Sequence, residues 1–550
     1  MTTAARSLSL LLLPSALSLA AQPSWQAPPK LVVGIVVDQM RADFIYRYWD
    51  NFGEGGFKRL VGEGAFLRNA HFPYMPTVTG PGHASVYTGT SPSHHGITGN
   101  ELVDRATGRV RYCAEDAEAA VVGAPGGAAR SPMNLLSTTI TDELERRTGG
   151  RSRTVGLSIK DRGAILPIGR TGDAAFWFAG GAEGAFVTSR WYADSLPGWM
   201  AAFNARRLAA SYLKGTWDLL LPRERYHQAL PDDNPYEIPL SGAATATLPQ
   251  DLAVLSGNGA NTGLIGYVPA GNTLLTDAAL AAVDGEELGR DAIPDLLAVS
   301  YSSPDLLGHR MGPRSLEIED MYLRLDRELA RLMKALDERV GAGRYTLFLT
   351  ADHGAVDVPA YLRDLDGSAG YVPTTRLEAA IERAIADRHG DGDWVRRMMN
   401  DQVWLNDSLL AARKADPAAM RRLAAEALLA DTLVAEALTA DDLVRVAYPD
   451  GVRAMIQRGF MPARSGDVCY ALRPGYFERE DWSDGRGTTH GSPWTYDTHV
   501  PILFFGKGIR PGEVVRRTSI TDIAPTLAVL VGTAFPDACS GQPVPEVLAP

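Results

Sequence analysis

Cysteine is scarce, with three among 550 residues, at positions 113, 469 and 539, and no two of them share a C-x-x-C spacing. That excludes a cysteine-built metal cluster and a disulfide-dense scaffold. In an oxidising compartment Cys113, Cys469 and Cys539 allow one bridge and leave an odd thiol, with three pairings open. Positive charge is in deficit too: 54 Lys and Arg stand against 65 Asp and Glu, a formal net charge of −11. A chain of this sign lacks the electrostatic footprint for a phosphate backbone, so no nucleic-acid partner is expected, and an anionic substrate has to meet locally gathered positive charge. Beyond the first residues no segment reaches the apolar length that a membrane-spanning helix requires, so no membrane anchor is expected in the mature chain. Repeat arrays, low-complexity tracts and coiled-coil heptads are missing as well.

What is present is ordinary globular composition, 45% hydrophobic and 22% charged, in a chain long enough for several average domains or one large α/β domain with insertions. The opening "MTTAARSLSLLLLPSALSLAAQPS" has Arg6, an apolar stretch broken by Pro14, and small residues at Ser18 and Ala20. This is the grammar of a cleaved export signal over residues 1–20. The mature chain is expected to be a soluble, periplasmic monomer.

"KLVVGIVVDQM" is a β-branched apolar run ending at Asp38, as in a buried strand of a parallel sheet. "DLLAVSYSSPD" leads likewise to Asp305, and "RYTLFLTADHG" to Asp352 and His353. Between them Leu325, Leu329, Leu332 and Leu336 follow the helical period, giving a strand–helix–strand unit. Ligands of open α/β sheets gather outside the carboxyl ends of strands, so these three acidic ends are expected to converge. The expected fold is α/β, a central mostly parallel sheet flanked by helices, with two inserted capping regions. Its core spans 21–164, 291–357 and 481–550; a Gly-, Pro- and Trp-rich cap occupies 165–290, and an Ala-rich helical insertion 358–480.

Asp305 and His309 are four apart, which aims both the same way from a helical turn. Asp352 and His353 are adjacent, and His490 stands in the small-residue loop "GTTHGS". Any one of these alone is ordinary surface or turn chemistry. Together with Asp38 they make three aspartates and three histidines, the mixed N/O donors that zinc accepts, enough for two three-ligand sites. Asp38, Thr79 in "TGPGH", the Asp305–His309 pair, "ADHG" and "THGS" resemble, in order and spacing over nearly the whole mature chain, the alkaline phosphatase superfamily of two-metal hydrolases. The resemblance implies two Zn2+ ions, one on Asp305, His309 and His490, the other on Asp38, Asp352 and His353. Thr79 would be the nucleophile and a ligand of the second zinc, which would stabilise its alkoxide. Gly80 and Gly82 would admit the phosphate close to the backbone, and Pro81 would open the helix whose amino end favours an anion. Capping of that helix is the plainer reading of Thr79.

"GLSIKDRGAI" supplies positive charge: Lys160 and Arg162, two apart, share a side in extended backbone. Arg162 could fork two phosphoryl oxygens, Lys160 could add a point charge, and the amide of Asn100 could donate to a third oxygen. These three resemble the phosphoryl contacts of the bacterial phosphate-irrepressible, broad-specificity alkaline phosphatases, which implies hydrolysis of small-molecule phosphate monoesters. A phosphodiesterase or phosphonate-type hydrolase of the same superfamily is the alternative among enzymes, and a non-catalytic phosphate-binding protein the alternative outside them. His83, His94 and His95 read as packing groups, and His499 as the competitor of His490.

Overall fold

The computed structural model describes residues 27–550 apart from 106, 125–126, 183 and 480–484; the export signal expected over 1–20 lies outside the described residues. Its frame is an 11-stranded sheet. In chain order the principal strands are β1 (Leu31–Val37), β2 (Ala65–His71), β3 (Thr154–Ser158), β4 (Ala174–Ala179), β5 (Ala185–Ser189), β6 (Asp295–Tyr301), β7 (Tyr345–Thr350) and β8 (His499–Gly506). Across the sheet the order is β2, β8, β7, β1, β6, β3, β4, β5, with short strands at both edges. The apolar runs read from sequence form its centre, and β1, β6 and β7 are buried at every position. Burial on both faces is what a strand between layers of helices experiences, and it favours continuous apolar sequence over alternation.

Direction decides where the functional residues fall. β1 runs parallel to β6 and β7, β6 to β3, and β3 to β4. Their carboxyl ends therefore share one edge, where Asp38, Lys160, Asp305 and Asp352 follow their strands. β8 is antiparallel to β7 and β2, so its amino end, preceded by the loop carrying His490, reaches the same edge. Four helices complete the frame: α1 (Thr79–Thr88), α2 (Asp161–Ile168), α3 (Ser303–Met311) and α4 (Leu316–Leu336). Ser315 caps α4, and Leu325, Leu329, Leu332 and Leu336 are all fully buried on its inner face.

The inserted regions differ from expectation. Residues 165–290 do not form a separate cap: α2 crosses the expected boundary, β4 and β5 extend the main sheet, and Trp177, Trp217 and the helix Ala270–Gly285 pack into the main hydrophobic core. The Gly-, Pro- and Trp-rich composition marks the region as an insertion, but "AAFWFA" and "FVTS" within it are apolar enough to be buried as strands. Residues 358–480 are α+β rather than helical. Val395–Met399, Gln402–Leu405, Val468–Leu472 and Val434–Thr439 make an antiparallel sheet. Helices Thr374–His389 and Pro417–Ala430 belong to the same region, which has its own apolar core. The Ala-rich sequence was expected to stay helical through "VAEALT"; pairing with 468–472 overrides that propensity. The three cysteines are all free.

Gly34, in the middle of β1, lets α1 sit directly on the sheet: a Cβ there would lie 2.3 Å from the Tyr87 hydroxyl and 2.7 Å from the Phe348 ring. Gly34→Ala is therefore expected to destabilise the protein by about 1–3 kcal/mol through overpacking. Gly62→Ala, at an exposed helical glycine with nothing near, should be neutral or stabilising by roughly 0.5–1 kcal/mol. Thermal unfolding of the two variants checks the contrast.

Candidate active site

Thr79 is the first residue of α1, and Val78, in extended backbone, precedes it. No side chain caps the helix, so the Thr79 hydroxyl is not spent on backbone amides. It is buried and faces three nitrogens instead: Arg162 Nη2 at 3.3 Å, Lys160 Nζ at 3.5 Å and His353 Nε2 at 3.5 Å. The glycine of the second turn position is required by packing, since a Cβ on Gly82 would come 2.3 Å from the Asp352 carbonyl. His83 packs beneath, its Nδ1 2.9 Å from the Thr79 carbonyl and its Nε2 2.8 Å from the Ser300 hydroxyl.

Two groups of side chains that could hold a metal ion lie beside this hydroxyl, Asp305 with His309 and His490, and Asp38 with Asp352 and His353; within each group the donor atoms lie within 4.8 Å of one another. Each imidazole turns Nδ1 to a backbone carbonyl: His309 to Thr488 and His353 to Gly354 at 2.9 Å, His490 to Thr77 at 2.8 Å. With Nδ1–H donated, Nε2 of His353 and His490 is left as the bare donor, the orientation that metal-binding histidines need, whereas at His309 burial is outweighed by the Asp305 carboxylate 3.2 Å from Nε2, which raises its pKa. The rings of His353 and His490 stack at 3.4 Å between centroids, which brings the two groups together. Gln39, in the left-handed region at φ 65°, binds both, its N–H to Asp352 at 3.2 Å and its side-chain amide to Asp305 at 2.6 Å.

The donor set fits divalent cations. Asp38 Oδ1 and Asp352 Oδ2 are buried with no hydrogen-bond partner. A buried, unpaired carboxylate oxygen is costly unless positive charge compensates it. Burial, reinforced by Asp305, pushes the Asp38 carboxyl up to about 6 despite Lys160, and burial with Asp38 pushes Asp352 well above the usual range. For Asp305 burial acts in the same direction, but His309 and Lys160 outweigh it and hold the carboxyl well below its ordinary value. Burial pushes His490 down to about 3 and His353 well below the usual imidazole range, so both are neutral, as ligands must be.

Lys160 closes the electrostatics, its ammonium 2.6 Å from Asp38 and 2.5 Å from Asp305, one carboxylate from each group. It shares a side with Arg162, though not by strand alternation: β3 has ended, Lys160 precedes α2 and Arg162 lies in its first turn. Asn100 accepts from Gly80 N–H through Oδ1 at 2.8 Å, so its Nδ2 remains the donating end. A cleft of about 280 Å3 adjoins the site, lined by Asn100, His309 and His490 on one side and by Asn400, Asp401, Tyr476 and Glu478 from the inserted region on the other. His499 lies elsewhere: its Nε2 is 2.9 Å from the Arg68 carbonyl and its ring stacks on His71. Sequence reasoning missed Gln39, Tyr112 and the hairpin turn at Asn400–Asp401; only Gln39, next to Asp38, carried a signal that could have been followed.

Residues 32–495 match the type I phosphodiesterase / nucleotide pyrophosphatase family. Similar proteins include a Myroides odoratus protein named calcium-transporting ATPase, 40% identical over 94% of this chain and 95% of its own. Alkaline phosphatase PafA of Elizabethkingia meningoseptica is 38% identical over 96% of both chains, and alkaline phosphatase PhoV of Synechococcus elongatus 38% identical over 96% of this chain and 94% of its own. The crystal structure of PafA superposes with a TM-score of 0.90 at 39% identity, covering 95% of this chain and 99% of that one. A solved PafA variant with a threonine, an asparagine, a lysine and an arginine replaced together gives the same TM-score.

The two histidine environments predict opposite outcomes. His490→Ala should weaken the binding of a divalent cation such as Zn2+ by about tenfold or more, whereas His499→Ala should leave it unchanged. Competition with a chromophoric chelator measures both.

Proposed function

The chain belongs to the type I phosphodiesterase / nucleotide pyrophosphatase family of the alkaline phosphatase superfamily, and on that premise we propose that it is an alkaline phosphatase hydrolysing phosphate monoesters through a phosphothreonine intermediate. The observation that carries the reading is the setting of Thr79 Oγ, within 3.5 Å of Arg162, Lys160 and His353 and beside both ligand groups. Its full-length similarity to PafA and PhoV, and the residue types replaced in the PafA variant, support it.

Two zinc ions, on Asp305, His309 and His490 and on Asp38, Thr79, Asp352 and His353, would supply Lewis acidity for the attacking and departing oxygens. The rest is done by the chain. Thr79 Oγ gives up its proton and bonds to phosphorus as the ester O–P bond breaks and the ester oxygen leaves, gaining a proton to become the alcohol; water then cleaves the O–P bond of the phosphothreonine, restoring the hydroxyl and releasing inorganic phosphate. Arg162 and Lys160 hold nonbridging oxygens as charge develops, with Asn100 Nδ2 as a neutral donor. α1 turns its amino end toward the same anion.

Three donors around one phosphoryl group favour a dianionic head, hence monoesters. The family's name supports a second reading, diester hydrolysis, in which part of that space takes a second substituent. Ion transport, named for the Myroides protein, is not carried over: among the described residues no helix is long and apolar enough to cross a membrane. Residues 1–20 support export to the periplasm, and the enzyme is read as a monomer whose inserted region 358–480 walls the substrate cleft.

Thr79→Ala is expected to lose monoester turnover by about a thousandfold or more while retaining zinc. Arg162→Ala should lower monoester kcat/KM by roughly a hundredfold and diester turnover far less. Turnover of p-nitrophenyl phosphate and bis-p-nitrophenyl phosphate, with zinc content measured on each protein, tests both. Faster diester than monoester hydrolysis by the wild type would favour the second reading, and absence of turnover in zinc-loaded protein would leave a phosphate-binding protein.

A further inference from the structure

Arg162 is not held by the groups it would serve. Its Nη1 donates to the Tyr112 hydroxyl at 3.0 Å, its Nη2 reaches Thr79 Oγ at 3.3 Å, and its Nε is buried with no partner. Nε and Nη2 form one edge of the guanidinium, the edge that can fork two oxygens. One nitrogen is therefore anchored on the phenol, one reaches the nucleophile, and the third, on the same edge as the second, is buried without a partner.

The anchor is itself fixed. The Tyr112 hydroxyl donates to Asp161 Oδ1, and a phenol that has given its proton can only accept from Arg162. The second oxygen of Asp161 accepts from Arg130 Nε at 2.6 Å, and the Arg130 guanidinium lies 4.5 Å from the centroid of the Tyr112 ring. Burial, against the pull of the Arg162 charge, pushes the phenol well above its ordinary range, so it remains a donor at alkaline pH.

Tyr112 also shares a hairpin with the other phosphoryl contact. Glu101–Val103 pairs with Val110–Tyr112, and Cys113 N–H donates to the Asn100 carbonyl at 2.8 Å. The open end of the hairpin thus presents Asn100 from one strand and, across from it on the other strand, the hydroxyl that orients Arg162. The inserted region grips it, with Arg396 donating to the Thr107 carbonyl at 2.9 Å and Asn400 to the Glu101 carbonyl at 3.2 Å.

We propose that Tyr112, held by Asp161 and Arg130, is a positioning residue that aims the Nε–Nη2 edge of Arg162 at the phosphoryl group, and so sets the preference for monoesters. The proposal rests on the function argued above. The alternative is that Tyr112 only fills space, which its ring would do without the hydroxyl.

Tyr112→Phe keeps the ring and removes the oxygen, and Asp161→Asn weakens the acceptor that orients it. With zinc-loaded protein, Tyr112→Phe is expected to lower kcat/KM for p-nitrophenyl phosphate by about ten- to a hundredfold, the span of one hydrogen bond to a charged group. Bis-p-nitrophenyl phosphate should lose less than about threefold, and in an Arg162→Ala background the substitution should add less than about twofold. Asp161→Asn should move the same two ratios in the same direction. Equal losses on both esters, or losses that multiply with Arg162→Ala, would overturn the proposal. A crystal structure of Tyr112→Phe reads the claim without turnover: a guanidinium displaced from Thr79 supports it, and an unmoved one overturns it. Undiminished monoester turnover by Arg162→Ala would instead sink the function proposed for the site, leaving the crystal structure to decide the positioning.

Discussion

Negative charge crowded together out of water is the constraint on which the rest of the structure depends. Asp38, Asp305 and Asp352 are each at most 2% exposed, and they meet where three parallel strands end. No arrangement of apolar residues could tolerate three such anions; each must find positive charge, a donated proton or a cation. Lys160 answers for two of them, the Gln39 amides give hydrogen bonds to two, and two buried oxygens are left facing neutral imidazoles. Fixing each imidazole through Nδ1 leaves its Nε2 turned to the same space as the carboxylate oxygens, where a shared cation would satisfy both.

The acidic balance of the chain sharpens this. A protein with net charge −11 offers a phosphate ester little long-range attraction, so its recognition must be local and already assembled. Lys160 and Arg162 are delivered by a single strand-to-helix turn, and the hairpin 101–112 presses against them from the other side. The inserted region then holds that hairpin by its backbone, which makes the small antiparallel sheet at 395–472 a support for the proposed phosphoryl contacts as well as a wall of the cleft.

Much of this was legible in the sequence. The central strands were visible because burial on both faces demands unbroken apolar runs, and the candidate ligand groups because Asp38, Asp305, Asp352 and His353 follow such runs, His309 stands one helical turn beyond Asp305, and His490 lies in a small-residue loop. The direction of β8 was not legible, since an apolar run looks the same in either orientation, and neither was the α+β character of 358–480, where alanine-rich sequence follows pairing rather than propensity. Boundaries around 165–290 failed because glycine and tryptophan content says nothing about which sheet a strand joins. Tyr112 could not be found either. The role proposed for it depends on contacts with residues 18 and 50 positions away, and tyrosine carries no spacing signature.

The reversed strand β8 has a consequence for the order in which the molecule can be built. It lies between β2 and β7, in the interior of the sheet, yet it is the last principal strand in the chain. A nascent polypeptide therefore exposes Asp38, Thr79, Asp305, His309, Asp352 and His353 one after another while a central slot in the sheet still stands open. His490 arrives only with the segment that fills that slot. The group of Asp305, His309 and His490 can therefore be complete only once the segment that closes the sheet has been made, whereas that of Asp38, Asp352 and His353 has all its residues earlier.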